Sequence, residues 1–383
     1  MINDSFSLMR GGLVYHALHS LGAIGPGRRT TSWVALLLTA AAMLPIMIAT
    51  ALDGTLYGDA VVMPLLGDYA VLARFLIAVP LLILAAPRAD SLLRESIAHF
   101  PRSGLVSANN RDRFEHAIDR IVQLRDSKLP ETLCLLLALL PLTFEQPSFG
   151  VMQGISDWRQ TGFAGIWMNV VAVPIFRFIG LIWLWRLGLW CYLLWRLSRI
   201  ELDLHPAHPD GAAGLGFLAI AQYRFLVLPF AGSVLLAGSV IDHILYLGAT
   251  LQSLKLLLLS YAIGATLVSI APLFLMCPKL LVLKRRSILE YSVLGHLGVH
   301  AFDRHWLGTG TSTDGTSLLE SAQPSALADF GAVFNTVRGM SVVPMTRYNL
   351  LWIMLAVLLP LVPVLFVAVP INEILQKLGA ILA

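Results

Sequence analysis

AGIWMNVVAVPIFRFIGLIWL, residues 164–184, decides the fold, because this uninterrupted apolar run carries a single charge, Arg177. A bilayer's hydrocarbon core is about 30 Å thick, so a helix needs about 20 residues of this kind to cross it. The run is long enough to span. Its helical pattern continues through Trp185, Trp190 and Trp195 toward Ile200, which predicts a helix projecting beyond the bilayer.

Working outward, runs of similar length lie at 33–52, 69–87, 131–149, 222–241, 256–277 and 349–370. The run at 131–149 is the weakest, since its clean apolar part ends at Phe144 and Glu145 follows, a length that equally suits a re-entrant segment. The whole chain agrees with these windows: 57% of its 383 residues are hydrophobic and 13% charged, and the mean hydropathy is +0.75. Such a composition excludes two or three soluble domains. The expected fold is all-α, a polytopic transmembrane helix bundle of about seven spans with amphipathic cytoplasmic helices.

Charge placement orients the bundle, because Lys and Arg concentrate on cytoplasmic flanks. With the N-terminus inside, twenty basic residues fall on inward segments and three, Arg159, Lys255 and Lys377, on outward ones. This split predicts a cytoplasmic N-terminus, an outside C-terminus and an odd number of crossings, which requires 131–149 to cross. The expected organisation is a cytoplasmic N-terminal segment at 1–32, spans 1 and 2 within 33–87, and a cytoplasmic helical segment at 88–130. Spans 3 to 6 follow within 131–277, with a cytoplasmic loop at 199–213. Cytoplasmic amphipathic helices and a linker fill 278–348, and span 7 with an interfacial C-terminal helix occupies 349–383.

Within 88–130, Phe114, Ile118, Ile121 and Leu124 share one helical face, preceded by Ser107, Asn109 and Asn110 as candidate caps. The repeated AGSV at 231–234 and 237–240 aligns Ala231 with Gly238 and Gly232 with Ser239, a small-residue stripe suited to close helix approach. Cys134, Cys191 and Cys277 have no paired spacing, so they read as small buried apolar residues rather than a disulfide framework or zinc cluster.

Charge inside hydrocarbon is costly and marks functional candidates. Arg74, Arg186 and Arg224 lie close enough to span ends to snorkel. Arg177 does not, and with Asn169 and Pro174 it forms the candidate pathway group. Pro174 matters because every span contains proline, and each proline removes a helical hydrogen bond. The alternative for Arg177 is a buried hydrogen-bonding hub.

Two histidine groups are candidates for metal. His205, His208 and Asp210 lie in the loop DLHPAHPDG, where Pro206 and Pro209 impose extended backbone, so a rigid structural connection competes with a ligand set. His296, His300 and His305 with Asp303 lie on the amphipathic stretch 279–307, His296 and His300 four apart on one helical face, where Lys279, Lys284, Arg285 and Arg286 suit anionic lipid headgroups. The chain has no HExxH, GxSxG or P-loop, which lowers the case for an enzyme without closing it.

HPDGAAGLGFL at 208–218, APLFLMCPKLLVLKRRSILEY at 271–291 and SALADFGAVFNTVR at 325–338 resemble a family of uncharacterised bacterial multi-pass inner-membrane proteins. That resemblance implies a bacterial inner-membrane setting and assigns no functional residue. The sequence-based reading is therefore a channel or transporter-like protein for an ion or small anion. The alternatives are a metal-dependent membrane enzyme using the 205–210 loop, and a structural or signalling protein with a cytoplasmic partner. The expected partner is the lipid bilayer rather than nucleic acid; a homo-oligomer and a cofactor are left open.

Overall fold

The computed structural model describes residues 6–9, 11, 28–140, 156–160, 162–307 and 321–368. These residues contain no β-strand, only an isolated bridge between Met63 and Asp157. The helices are α1 (Arg28–Leu52), α2 (Tyr69–Arg102), α3 (Arg111–Asp126), α4 (Lys128–Leu139), α5 (Gly162–Ser198), α6 (Phe217–Leu247), α7 (Leu251–Phe274), α8 (Cys277–Trp306), α9 (Ala322–Gly339) and α10 (Tyr348–Ala368).

Six of them, α1, α2, α5, α6, α7 and α10, are long and apolar enough to cross a membrane. Their outward faces are apolar, with Leu52 83% and Leu256 74% exposed. A water-soluble surface does not carry continuous apolar faces of this extent, whereas hydrocarbon solvates them. The chain is a multi-pass membrane protein. Among the six, α6 is the most enclosed and α7 the least.

The expected seventh span is different. Its helix, α4, has 12 residues, about 18 Å of rise, and ends where Leu140 turns extended (φ −64, ψ 130). Residues 141–149 of the expected span lie outside the described residues. The described ends show the direction of travel: Glu131 meets Arg186 on α5, Leu140 meets Arg177 nearer the start of that helix, and Asp157 bridges Met63 just before α5 begins. Helix α4 therefore runs antiparallel to α5.

The spans also run longer than their apolar windows. α2 continues unbroken from the membrane segment through Pro87 and Pro101 to Arg102. Its Ala89, Leu93, Ile97 and Phe100 pack with Leu189, Trp190, Leu193 and Leu197 of α5 and with Phe114, Ile118 and Ile121 of α3. Residues 88–126 thus belong to the same core as the spans rather than to a separate layer. The expected face of α3 is the buried one, although Asn110 at its N-cap makes no side-chain cap.

Prolines shape the spans in three ways. Pro80 and Pro174 each directly follow a π-helical turn, Ala73–Ala78 and Met168–Ala172. Proline has no N–H and its ring crowds the carbonyl four residues back, so the preceding turn opens by one residue. Pro360 sits in a 3-10 turn, Leu359–Leu361. Pro45 and Pro272 remain inside regular α-helix.

The start of α2 is fixed by two carboxylates. Asp68 accepts from the Val71 N–H at 2.9 Å, while Asp242, from α6, accepts from the N–H groups of Tyr69 and Ala70, each at 2.9 Å. Negative charge and acceptors are favoured at a helix N-terminus, where the first N–H groups lack intrahelical partners. Asp68 also takes the Trp158 Nε1–H at 3.0 Å and pairs with Arg159. Gly238 permits the approach, since a Cβ there would lie 2.6 Å from the Tyr69 carbonyl oxygen. The small-residue stripe expected around the AGSV repeat is thus a helix contact, with Gly232 beneath the Tyr261 ring of α7.

Candidate functional site: a clasped short helix and a buried charged nest

Helix α4 lies against α5 with an arginine at each end. At its C-terminus the carbonyls of the last turn have no intrahelical N–H, and Arg177 Nη1–H donates to Leu140 O at 2.8 Å and to Ala138 O at 3.5 Å. A cation at a helix C-terminus also meets the negative end of the dipole. At its N-terminus Glu131 Oε1 accepts from Arg186 Nη2–H at 3.1 Å, both side chains being 3% exposed.

Arg186 belongs to a larger cluster that sequence reading placed at the lipid interface as a snorkelling side chain. It is buried instead. Its Nη2–H also donates to Gly11 O at 2.9 Å, and its Nε and Nη1 have no hydrogen-bond partner among the described residues. Around it, residues of the N-terminal segment thread into the core, with Phe6 3%, Ser7 5% and Leu8 0% exposed. Asp90, on α2, receives the Ser7 hydroxyl at 2.5 Å and the N–H groups of Leu8 and Met9 at 3.0 Å each, and pairs with Arg94 at 3.0 Å. Arg125, at the end of α3, donates to Ser7 O and pairs with Asp126 at 2.6 Å. Gly11 (φ +147) is required by the close fit, because a Cβ there would sit 2.5 Å from Arg125 Nε and 2.6 Å from Asp126 Oδ1. Three arginines and three carboxylates are thereby gathered from α2, α3, α4 and α5 around Ser7, Leu8, Met9 and Gly11.

The other candidates separate. Asn169 is on an exposed face of the π-turn before Pro174, while Arg177, one turn beyond, reaches α4. Beside Arg177, Phe176 lies under the Arg74 guanidinium, 5.4 Å from the ring centroid. Open apolar grooves of about 820 Å³, between α1 and the start of α5, and about 460 Å³, between α6 and α10, include none of the nest residues.

In the 205–210 loop, Asp210 organises backbone. Its Oδ1 accepts from Ala212 N–H at 2.8 Å and Gly214 N–H at 3.1 Å, and its Oδ2 from Gly216 N–H at 2.8 Å. Burial alone would raise its pKa, but these N–H groups and His208, whose Nδ1 lies 2.9 Å from Oδ1, hold it below the ordinary carboxylate range. The turn places Ala213 at φ 57, and Ser341 N–H docks on Gly211 O at 2.7 Å. His205 faces Asp203 at 3.7 Å instead of joining His208, with both side chains more than 60% exposed. No group of three or more His, Cys, Asp or Glu able to hold a metal occurs among the described residues. His296 and His300 pack edge to face, their centroids 4.4 Å apart, without a third ligand.

The basic quartet of α8 also divides. Lys279 donates to Ile200 O and Lys284 to Met340 O at 2.6 Å, so these two tie α8 to neighbouring loops. Burial pushes the Lys279 ammonium below its ordinary pKa, opposed by Glu201. Arg285 and Arg286 are exposed, and Arg286 pairs with Glu290 at 2.7 Å.

Sequence reasoning missed the nest for a definite reason. Asp90, Arg94, Arg125 and Asp126 fall on polar segments flanking the spans and Glu131 at the very start of the run 131–149, where charge is unremarkable until folding buries it. The one legible signal was Arg186, a charge among the tryptophans of an otherwise apolar helix. With this geometry in place, comparison with known proteins adds no relative: no protein-family model, no curated protein and no solved structure matches the chain.

Proposed function

We propose that the chain is a channel- or transporter-like protein of a bacterial inner membrane, with its N-terminus cytoplasmic and its C-terminus outside, handling an ion or small anion near Arg177. The observation that supports this most is the short helix α4, whose terminal carbonyls are met by Arg177 from the middle of α5. Non-helical backbone at membrane depth is tolerated where protein buries it or where it lines a watery cavity, and transporters build ion sites at such helix ends. The π-turns before Pro80 and Pro174 give two spans that contact each other at Arg74 and Phe176 the local adjustability such movement needs. The basic census of the flanks supports the orientation.

The test is ion flux through purified protein in liposomes. Losing a charge-assisted contact of about 1.5–3 kcal/mol corresponds to about a tenfold to hundredfold change, so Arg177→Ala is expected to alter flux on that scale, with Arg177→Lys between. Flux equal in Arg177→Ala and the parent removes Arg177 from the pathway.

A second reading, a structural or signalling protein with a cytoplasmic partner or a second copy of the chain, is favoured by the α8–α9 pair. Leu289, Val293 and Leu297 are 70%, 61% and 60% exposed there, beside Arg285 and Arg286. Stoichiometric co-purification of one soluble protein, lost on Leu289→Glu, supports it. The metal-enzyme reading of His205, His208 and Asp210 has no comparable observation behind it.

A further inference from the structure

Ser7, Leu8, Met9 and Gly11 meet the nest through backbone groups and the Ser7 hydroxyl. Ser7 O and Gly11 O accept from Arg125 and Arg186, and the Ser7 hydroxyl and the Leu8 and Met9 N–H groups donate to Asp90. Two features set this apart from an ordinary tether. Arg186, 3% exposed, still carries Nε and Nη1 without hydrogen-bond partners among the described residues, and buried guanidinium N–H groups are costly to leave unmet. The acceptors the segment supplies are neutral carbonyl oxygens, which bind a guanidinium less strongly than an anionic oxygen does.

We propose that the nest between α2, α3, α4 and α5 is a binding site for a small oxyanion of the carboxylate or phosphate class, and that Ser7, Leu8, Met9 and Gly11 occupy it as a tethered, displaceable surrogate. Arg125 and Arg186 contact the oxyanion through the N–H groups now given to Ser7 O and Gly11 O, and Arg186 Nε and Nη1 gain the acceptors they lack. Asp90 releases the Ser7 hydroxyl and the Leu8 and Met9 N–H groups, keeps Arg94, and disfavours ligands of high negative charge. Leu8 leaves the core when the oxyanion enters, so its accessibility reports occupancy.

Leu8→Cys, in a chain whose Cys134, Cys191 and Cys277 are changed to serine, is placed in phosphatidylcholine nanodiscs and reacted with a water-soluble maleimide. Sodium phosphate is added against sodium chloride at equal ionic strength. Because the anion and the segment compete for one site, ligand at about ten times its dissociation constant raises the open fraction, and with it the labelling rate, about tenfold. Arg186→Gln is expected to abolish the increase. A parallel arm replaces part of the phosphatidylcholine with phosphatidylglycerol: an increase there without added phosphate identifies the lipid headgroup as the source of the same chemistry. Labelling that is equally slow in chloride, phosphate and phosphatidylglycerol overturns the proposal and leaves residues 6–9 and Gly11 a fixed anchor. Met9→Cys, half-buried beside the same site, repeats the measurement should Leu8→Cys fold poorly. None of these readouts requires flux, so the proposal stands or falls separately from the role given to Arg177.

Discussion

Cutting the ion pair between α4 and α5 is the severest test of the buried nest. Glu131 and Arg186 are each 3% exposed and 3.1 Å apart, and two of the Arg186 nitrogens already lack partners among the described residues. Glu131→Leu leaves a buried guanidinium with the Gly11 carbonyl but without its carboxylate, and Arg186→Met leaves a buried carboxylate without its arginine. Removing one member of such a pair costs about 3–5 kcal/mol, whereas replacing both by apolar groups of similar volume is often neutral or stabilising. Each single variant is therefore expected to lose about 3–5 kcal/mol, and Glu131→Leu with Arg186→Met to lose far less than the sum, giving a coupling of about 2 kcal/mol or more. The assay is unfolding by SDS titration in mixed micelles, read by tryptophan fluorescence, since Trp183 and Trp190 are buried in the surrounding core. Single losses below about 1 kcal/mol, the range of exposed pairs, or strict additivity would refute the claim that the pair sits in a low-dielectric interior.

Two further outcomes follow from the packing. Gly238→Ala puts a methyl 2.6 Å from the Tyr69 carbonyl oxygen and 3.0 Å from Ala70 Cα, backbone that moves only with α2, so a loss of about 1–3 kcal/mol is expected in the same titration; Gly264→Ala, with nothing within 4 Å, is the matched control. Asp210→Asn offers Gly216 N–H an amide donor in place of Oδ2 and is expected to cost about 1–3 kcal/mol of local stability, read as faster amide exchange at Gly214 and Gly216. Because the Asp210 pKa is depressed on folding, its contribution is complete above the unfolded carboxyl pKa of about 4 and is lost as the pH falls through the lower folded value. Parent and variant exchange should therefore begin to converge only as the pH falls below about 4, and equal exchange at neutral pH sinks the role given to Asp210.

The legible parts of this protein are those set by local composition. The length and polarity of 164–184 dictate a spanning helix whatever its neighbours do, and the apolar face of Phe114, Ile118 and Ile121 is buried as its spacing requires. The small residues at Gly232 and Gly238 mark close helix contacts. The weakness of 131–149 was also visible, and α4 stops at Leu139, within that run.

What stayed hidden depends on which distant segments meet. A charge near a span end reads as snorkelling because water is near, and Arg186 does not snorkel only because Glu131 and Gly11, 55 and 175 residues away, converge on it. Asp242 reads as a charge at a helix end until α6 brings it to the unpaired N–H groups of Tyr69 and Ala70. The basic residues of α8 were recognised as a group, but the structure turns Lys279 and Lys284 inward to carbonyls and leaves Arg285 and Arg286 outside. The sequence by itself determined that this chain crosses a bilayer many times, because hydrocarbon acts on each helix separately. Only the tertiary structure decided which charges are buried together, because pairing is a property of two segments at once and its strength depends on the water that their packing excludes.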